Sequence, residues 1–178
     1  MEYLETSHFQ FKEQGVWPRM KFPARVYTEK EVKTAKELID KGYKHRLTVR
    51  GSPSFKQRVT RIIELVKTAD YYEFLRTNIR RVIEIDGLTQ LRETEAAIWA
   101  NKFAVENTVD AASLFIQKTY QMKEYLEGKL YYGGSAEKRS VEKRIEFLEA
   151  LKNKTTEKEV REECERLLKM WEESSLAY

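Results

Sequence analysis

A long central helix is predicted by the stretch Thr108-Val109-Asp110-Ala111-Ala112-Ser113-Leu114-Phe115-Ile116-Gln117-Lys118-Thr119-Tyr120-Gln121. At 100° per residue, an apolar stripe runs along one side of this helix and indicates the side that faces the core. The stripe consists of Ala111, Phe115, Met122 and Leu126. Gln117 and Gln121 lie together, well away from the stripe. We predict that Thr108 caps the helix and that Gly128 ends it.

The segments around this helix predict a mainly helical α+β domain. Hydrophobic periodicity and caps indicate further helices at residues 28–41, 54–67 (capped by Ser54), 70–79, 135–153 and 156–171. Short strands are predicted at residues 43–49, 81–85 and 96–105, and residues 88–95 are predicted to be a polar connection. The expected fold has five to six helices and a small sheet of two or three short strands. Residues 25–178 form its single globular domain.

Residues 1–24 are predicted to form an extended aromatic arm. This stretch lacks clear periodicity but contains several large apolar side chains, among them Phe9, Phe11, Trp17 and Phe22. Two of them precede proline, which favours extended backbone. We expect the arm to pack over the body of the domain or to contact a second subunit or another protein.

The composition fits one soluble, cytoplasmic domain. The chain has 178 residues, no apolar run of the length of a membrane span or signal sequence, and a single cysteine, which excludes an intramolecular disulfide. Charged residues make up 35% of the chain, above the roughly 25% of an average soluble protein. Such a charge-rich composition, with only 7 Gly and 3 Pro, is typical of proteins from thermophiles.

The spacing of Gln117 and Gln121 is that of a metal-binding pair. Residues at i and i+4 share a helix face, which is how His-x-x-x-His presents two imidazoles to one zinc ion. One helix later, Glu137 shares a side with Val141 and Ile145, so we expect it to tend inward. Two simpler interpretations stay open. The glutamines can lie on a solvated face, and Glu137 can serve the helix dipole in the first turn.

These residues carry a resemblance that extends from about residue 50 to residue 151. The chain resembles a diverged member of the small zincin-like metallopeptidase families. The resemblance is carried by Arg50-Gly51-Ser52-Pro53-Ser54-Phe55, Arg80-Arg81-Val82-Ile83-Glu84, the central helix and Ser135-Ala136-Glu137-Lys138. It implies that Gln117-Lys118-Thr119-Tyr120-Gln121 replaces His-Glu-x-x-His. Gln117 and Gln121 then align with the two histidines, Lys118 with the catalytic glutamate, and Glu137 with the third zinc ligand.

The departures from that pattern predict a protein without zinc. Carboxamide oxygens bind zinc poorly, and Lys118 can act as a general base only with a strongly lowered pKa. We therefore expect no catalytic residues, no metal and no cofactor. The predicted function is that of a non-catalytic, pseudo-metallopeptidase binding or scaffold module. The alternative is an oligomeric protein-interaction module of unrelated fold.

A second alternative is nucleic-acid binding. A candidate basic patch in the first half of the chain consists of Lys44, Arg46, Arg50, Lys56, Arg58 and Arg61. The 33 basic and 29 acidic residues are otherwise interspersed. A nucleic-acid-binding protein usually segregates its basic residues onto one face. We therefore regard a solvated basic face as the commoner explanation of this segment, and a nucleic-acid partner is not expected.

Overall fold

The computed structural model describes residues 47–175 and, before them, Lys33 and Glu37, which are both helical. The predicted arm at residues 1–24, the rest of the predicted helix at residues 28–41 and the first part of the predicted strand at residues 43–49 lie outside the described residues. In the described part, no helix combines the length and the apolar character that crossing a membrane requires.

The described residues form a mainly helical α+β fold, as predicted. Within residues 47–175, five α-helices follow one another: α1 (Pro53–Thr68), α2 (Tyr72–Asn78), α3 (Thr108–Leu126), α4 (Gly134–Lys154) and α5 (Lys158–Ser175). Four strands form one small sheet: β1 (Thr48–Arg50), β2 (Arg81–Ile85), β3 (Gln90–Arg92) and β4 (Ala97–Asn101). The sheet in this part of the chain therefore has four strands, where the sequence predicted two or three.

The strand order in the sheet is β1-β2-β4-β3. β1 and β2 are parallel, with Val49 opposite Val82, and they are connected through α1 and α2. β2 and β4 are also parallel, with Val82 opposite Ile98. β3 pairs with β4 in the antiparallel direction, so β3 and β4 form a hairpin at one side of the sheet. This arrangement places the start of α3 directly after the central strand β4.

Residues 88–95 were predicted to be a polar connection, and the structure corrects this prediction. It contains β3 and a single 3-10 turn at Glu93–Glu95. The strand was missed because Leu91 is its only apolar residue, so three residues carry no alternating pattern. β4 in turn ends at Asn101 and does not continue to residue 105. The side-chain oxygen of Asn101 accepts hydrogen bonds from the backbone N–H groups of Phe103 and Ala104, which turns the chain away from the sheet.

Two helix caps lie one or two residues before the predicted ones. Ser52, and not Ser54, is the N-cap of α1: its hydroxyl accepts a hydrogen bond from the backbone N–H of Phe55. Asn107, and not Thr108, caps α3 through the N–H of Asp110. In the first case Pro53 occupies the first helical position, where proline is favoured. That position leaves Ser52 as the cap.

The start of α1 is bound to β2 by one carboxylate. Glu84 accepts hydrogen bonds from the backbone N–H of Ser52 at 2.6 Å and from its hydroxyl at 3.1 Å. Gly51 makes this approach possible, because a Cβ at that position would lie 2.7 Å from Cβ of Glu84. The connection between β1 and α1 is thus held against the neighbouring parallel strand.

α3 lies at the centre of the fold and packs against α1, α2, α4, α5 and β3. Its apolar stripe is buried as predicted, with Ala111, Phe115, Met122 and Leu126 at most 3% exposed. The largest buried side chains around it come from α1, α2, β4 and α4, namely Phe55, Ile62, Leu65, Leu75, Ile98, Phe147 and Leu148. Because α3 packs against five other elements, the residues on its remaining faces determine which polar groups the interior contains.

Ser52→Ala is expected to lower the free energy of unfolding by about 1 kcal/mol, because the first turn of α1 loses its cap and Glu84 loses one donor. Ser54→Ala is the matched control, since Ser54 is exposed and its hydroxyl contacts only that of Ser52 in the described part. Urea unfolding followed by circular dichroism measures both. An equal loss in the two variants contradicts the assignment of the cap.

Candidate functional site

Gln117 and Gln121 are buried within the fold. Their side chains are 5% and 6% exposed, so the interpretation of a solvated face is wrong. A buried carboxamide is costly unless its oxygen and nitrogen find hydrogen-bond partners. The hydrogen-bond partners of Gln117 therefore define the polar site in this part of the molecule.

The amide nitrogen of Gln117 donates to two residues of α4. It lies 3.1 Å from Oγ of Ser140 and 3.4 Å from Oε1 of Glu137. The structure thus brings Gln117 and Glu137 together. Glu137 itself is exposed, which corrects the expectation of an inward side chain: only its carboxylate reaches back to α3. Ser140 in turn donates to the backbone oxygen of Glu137 at 2.8 Å.

The amide oxygen of Gln117 accepts a hydrogen bond from a buried arginine. Nη1 of Arg144 lies 3.2 Å from this oxygen, and the guanidinium also donates to Oγ of Ser113 at 2.8 Å. Its third contact is an ion pair with Asp110, with 2.6 Å between Nη2 and Oδ1. The guanidinium also lies 5.0 Å from the centre of the Trp171 ring of α5. Arg144 therefore connects three turns of α3 with both α4 and α5.

Sequence reasoning missed the residues that surround Gln117. These residues are Asp110, Ser113, Ser140 and Arg144. A signal was present, because Asp110, Ser113 and Gln117 recur at helical spacing on α3, and Glu137, Ser140 and Arg144 do so on α4. Two polar stripes on consecutive helices predict a buried network when the helices pack antiparallel. We name this set of six residues the Arg144 network.

Lys118 is half-buried next to the network. In the described part of the chain, no hydrogen bond or ion pair ends on its amine. Burial lowers the pKa of Lys118, and the positive charge of Arg144 lowers it further, while Glu137 and Glu93 act in the opposite direction. The amine is therefore easier to deprotonate than an exposed lysine. This is the direction that a general base would require.

Glu93 of the 3-10 turn, whose charge acts on Lys118, is bound by an aromatic residue. Tyr131, which precedes α4, donates a short hydrogen bond from its hydroxyl to Glu93. Burial and this hydrogen bond raise the pKa of Tyr131 well above its usual range. The Tyr131 ring also contacts the edge of Tyr125 from α3. Glu93 is therefore tied to the segment between α3 and α4.

The described residues offer no ready metal site. Among residues 47–175, Lys33 and Glu37, no three His, Cys, Asp or Glu side chains are grouped closely enough to hold a metal ion. Cys164 is buried within α5, and its pKa is raised to about 11, chiefly by burial. Gln121 shares its helix face with Gln117, but in the described part of the chain its side chain forms no hydrogen bond with Glu137 or Arg144. Of the predicted site, the structure brings together Gln117 and Glu137.

The predicted basic patch is only partly described. Lys44 and Arg46 lie outside the described residues. Arg50, Lys56 and Arg58 are exposed. Arg61 forms ion pairs with Glu64 at 3.3 Å and with Glu157 of the loop before α5 at 2.5 Å. The charge of Arg61 is thus balanced within the protein, and the nucleic-acid interpretation stays a prediction that rests on the other members of the patch.

Comparisons of the chain with models of known protein families, with curated proteins and with solved structures find no match.

Arg144→Leu is expected to lower the free energy of unfolding by about 3 kcal/mol, because it leaves Asp110 and Gln117 without their buried partner. The matched control is Arg166→Leu, since Arg166 is exposed and pairs with Glu163 on the surface of α5. That change is expected to cost at most about 1 kcal/mol. Chemical denaturation of both variants measures the difference. A similar effect in the two variants contradicts the central place of Arg144.

Lys118→Met is expected to stabilise the protein at pH 7, because a charged amine is desolvated there. The folded-state pKa lies below the unfolded value, so the unfolded chain binds more protons between the two values. The penalty is therefore complete below the folded pKa and disappears as the pH rises to about 10.5. The gain from Lys118→Met should shrink over this pH range. Denaturation at pH 7 and at high pH measures it.

Lys118→Arg is the control for this experiment. An arginine stays charged over the whole pH range, so this variant is expected to give no stabilisation at pH 7. A stabilisation by Lys118→Met that does not change with pH contradicts a role for the amine charge.

Proposed function

We propose that the protein is a non-catalytic, zincin-like module that acts by binding, a pseudo-metallopeptidase in which the place of the metal is taken by side-chain hydrogen bonds. The observation that carries the proposal is the contact of Arg144 with Gln117. The order of elements also supports it: a sheet strand, a helix with the paired glutamines, a glycine-containing turn, and a helix with Glu137 in its first turn.

The chemistry of the donors supports a site without zinc. Zinc sites in proteins use thiolate, imidazole or carboxylate ligands, and only Glu137 among the aligned residues offers one of these. Gln117 has both ends of its amide engaged, by Arg144 on the oxygen and by Ser140 and Glu137 on the nitrogen. A metal ion would have to displace these partners before it could use the carboxamide oxygen.

The charge of Arg144 also opposes a metal at this place. A divalent cation bound by Gln117 and Glu137 would lie within about 5 Å of the guanidinium. At an effective dielectric constant of about 20, the repulsion amounts to roughly 6 to 7 kcal/mol. This is a large part of the 10 to 16 kcal/mol with which zinc-finger peptides bind their ion. Two amide ligands and one carboxylate do not offset that loss.

A binding or scaffold role is compatible with the way the network uses its groups. A hydrolase keeps its polar groups available for a substrate. The polar groups of the Arg144 network instead bind one another and connect α3, α4 and α5. Lys118 stands where the resemblance places the catalytic carboxylate, and an amine there cannot take a proton until it has lost its own. The polar interior of this fold thus serves to hold helices in place.

The metal content of the purified protein tests the proposal. Mass spectrometry of the protein after dialysis without chelator is expected to find far less than one zinc per chain. The protein is expected not to hydrolyse a fluorogenic peptide mixture, either with or without EDTA. Stoichiometric zinc that disappears in Glu137→Ala contradicts the non-catalytic part of the proposal.

A designed variant tests the zincin-like part separately. Gln117→His and Gln121→His, combined with Arg144→Gln to remove the opposing charge, are expected to create a zinc site with Glu137 as third ligand. Adding Glu137→Gln should weaken zinc binding at least about tenfold. The same two histidines with Arg144 retained serve as the control and should bind zinc less tightly. If the variant with Arg144→Gln folds and takes up no zinc, the helices do not have the geometry of a zincin.

A further inference from the structure

An apolar groove runs between α4 and α5. Its volume is about 600 Å³, and its apolar walls are Val141, Ile145 and Trp171. All three side chains are half-buried, so each offers part of its surface to a partner. Trp171 is held by the Arg144 guanidinium behind it, at 5.0 Å from the ring centre. One wall of the groove is therefore in contact with the Arg144 network.

The groove continues into a second hollow of about 470 Å³ that shares Ile145 and Trp171 with it. Together they line a path along α4 and α5. Five glutamates and three lysines border this path. Two of the lysines are paired: Lys152 with Glu149 at 3.0 Å, and Lys169 with Glu173 at 3.9 Å. The rim is thus acidic on a chain whose net charge is +4, which favours an occupant with basic and apolar side chains.

One stretch of the chain has this chemistry. Residues 17–27, Trp17-Pro18-Arg19-Met20-Lys21-Phe22-Pro23-Ala24-Arg25-Val26-Tyr27, contain five large apolar side chains, three basic ones and no acidic one. By contrast, residues 1–16 contain three glutamates and one lysine, and residues 28–46 mix four acidic with six basic side chains. The apolar residues of 17–27 suit the walls of the groove, and the basic ones suit its rim.

Residues 28–46, which connect this stretch to β1, span a distance comparable to the width of the domain. The helix predicted at residues 28–41 would span about 20 Å at 1.5 Å per residue, and residues 42–46 would add up to about 16 Å when extended. A domain of the size of residues 47–175 is roughly 35 Å across. A segment connected to β1 by residues 28–46 can therefore extend over a distance of about one domain diameter from the start of β1.

We propose that residues 17–27 bind in the α4–α5 groove of the same chain, with their aromatic side chains against Val141, Ile145 and Trp171 and their basic side chains along the glutamate rim. This contact covers the groove and ties the start of the chain to the helices that carry the Arg144 network. It does not depend on the proposed function, since the groove lies outside the aligned site residues except for Glu137 at its edge.

Photo-crosslinking in the full-length chain tests this inference. p-Benzoylphenylalanine placed at Phe22 is expected, on irradiation, to give an adduct of monomer mass. Peptide mapping should locate it in residues 139–145 or 168–175. Adducts on another face contradict the groove, a covalent dimer contradicts the same-chain assignment, and the absence of any adduct contradicts docking.

A charge in the groove provides the matched comparison. Ile145→Glu is expected to reduce the adduct yield about tenfold, because it places a carboxylate against apolar side chains. Thr60→Glu, on an exposed part of α1, should leave the yield unchanged. Circular dichroism checks that each variant is folded, and Val141→Glu at the same groove replaces Ile145→Glu if the latter unfolds. Equal yields in the groove and control variants overturn the proposal.

Discussion

The packing of the three long helices depends on one buried guanidinium. Arg144 is 9% exposed and reaches Asp110, Ser113 and Gln117 along three successive turns of α3, with Trp171 of α5 against its plane. A charge in such a place is tolerated only when its donors are satisfied together. The network therefore specifies the rotation of α3 and the distance to α4 more narrowly than apolar contacts alone could. A second arginine, Arg139, supports the same pair of helices near the connecting turn by binding the buried Glu124.

Under the proposed function, this arrangement explains why the spacing of a motif can persist while its chemistry changes. In a helix, residues four apart stay on one face whatever their side chains are. On α3 the face that could present two metal ligands presents two carboxamides, and one of them is part of a helix-joining network. The polar groups are preorganised by α3 and α4, which is what a catalytic site requires, but they are directed at each other. The rigidity of the network thus serves the packing of the helices.

Much of the fold could be predicted from the sequence, and the misses have physical reasons. The stripe of α3 and the β-branched strand β2 were predicted correctly because their periodicity is strong over many residues. β3 has three residues and one apolar side chain, so its existence depends on pairing with β4, which no local pattern records. The caps of α1 and α3 were predicted one or two residues too late, because each helix start contains neighbouring residues that can all serve as a cap.

Only part of the candidate site could be predicted from the sequence, for a related reason. The i, i+4 pair could be placed on one face, but the wheel does not say whether that face meets water or another helix. The approach of Arg144, 27 residues from Gln117, decides it, and this approach follows from the antiparallel packing of α3 and α4. Long-range polar pairs of this kind leave a trace in the sequence only as two polar stripes, which are also what two solvated faces look like.

The turn into β4 also limits how the sheet can misassemble. Ala96 adopts the left-handed conformation with φ of 48°, which is unusual for a residue with a side chain, and its carbonyl accepts a hydrogen bond from the N–H of Arg80 at 2.7 Å. This contact sets the pairing of β4 with β2 before the first strand residue. A slip by one residue would turn Ile98 out of the core and bring Trp99 in, and it would also break the bond at Arg80. The left-handed conformation of Ala96 thus disfavours pairing of β4 with β2 in the wrong register. It also disfavours the aggregation-prone intermediates that such pairing would expose.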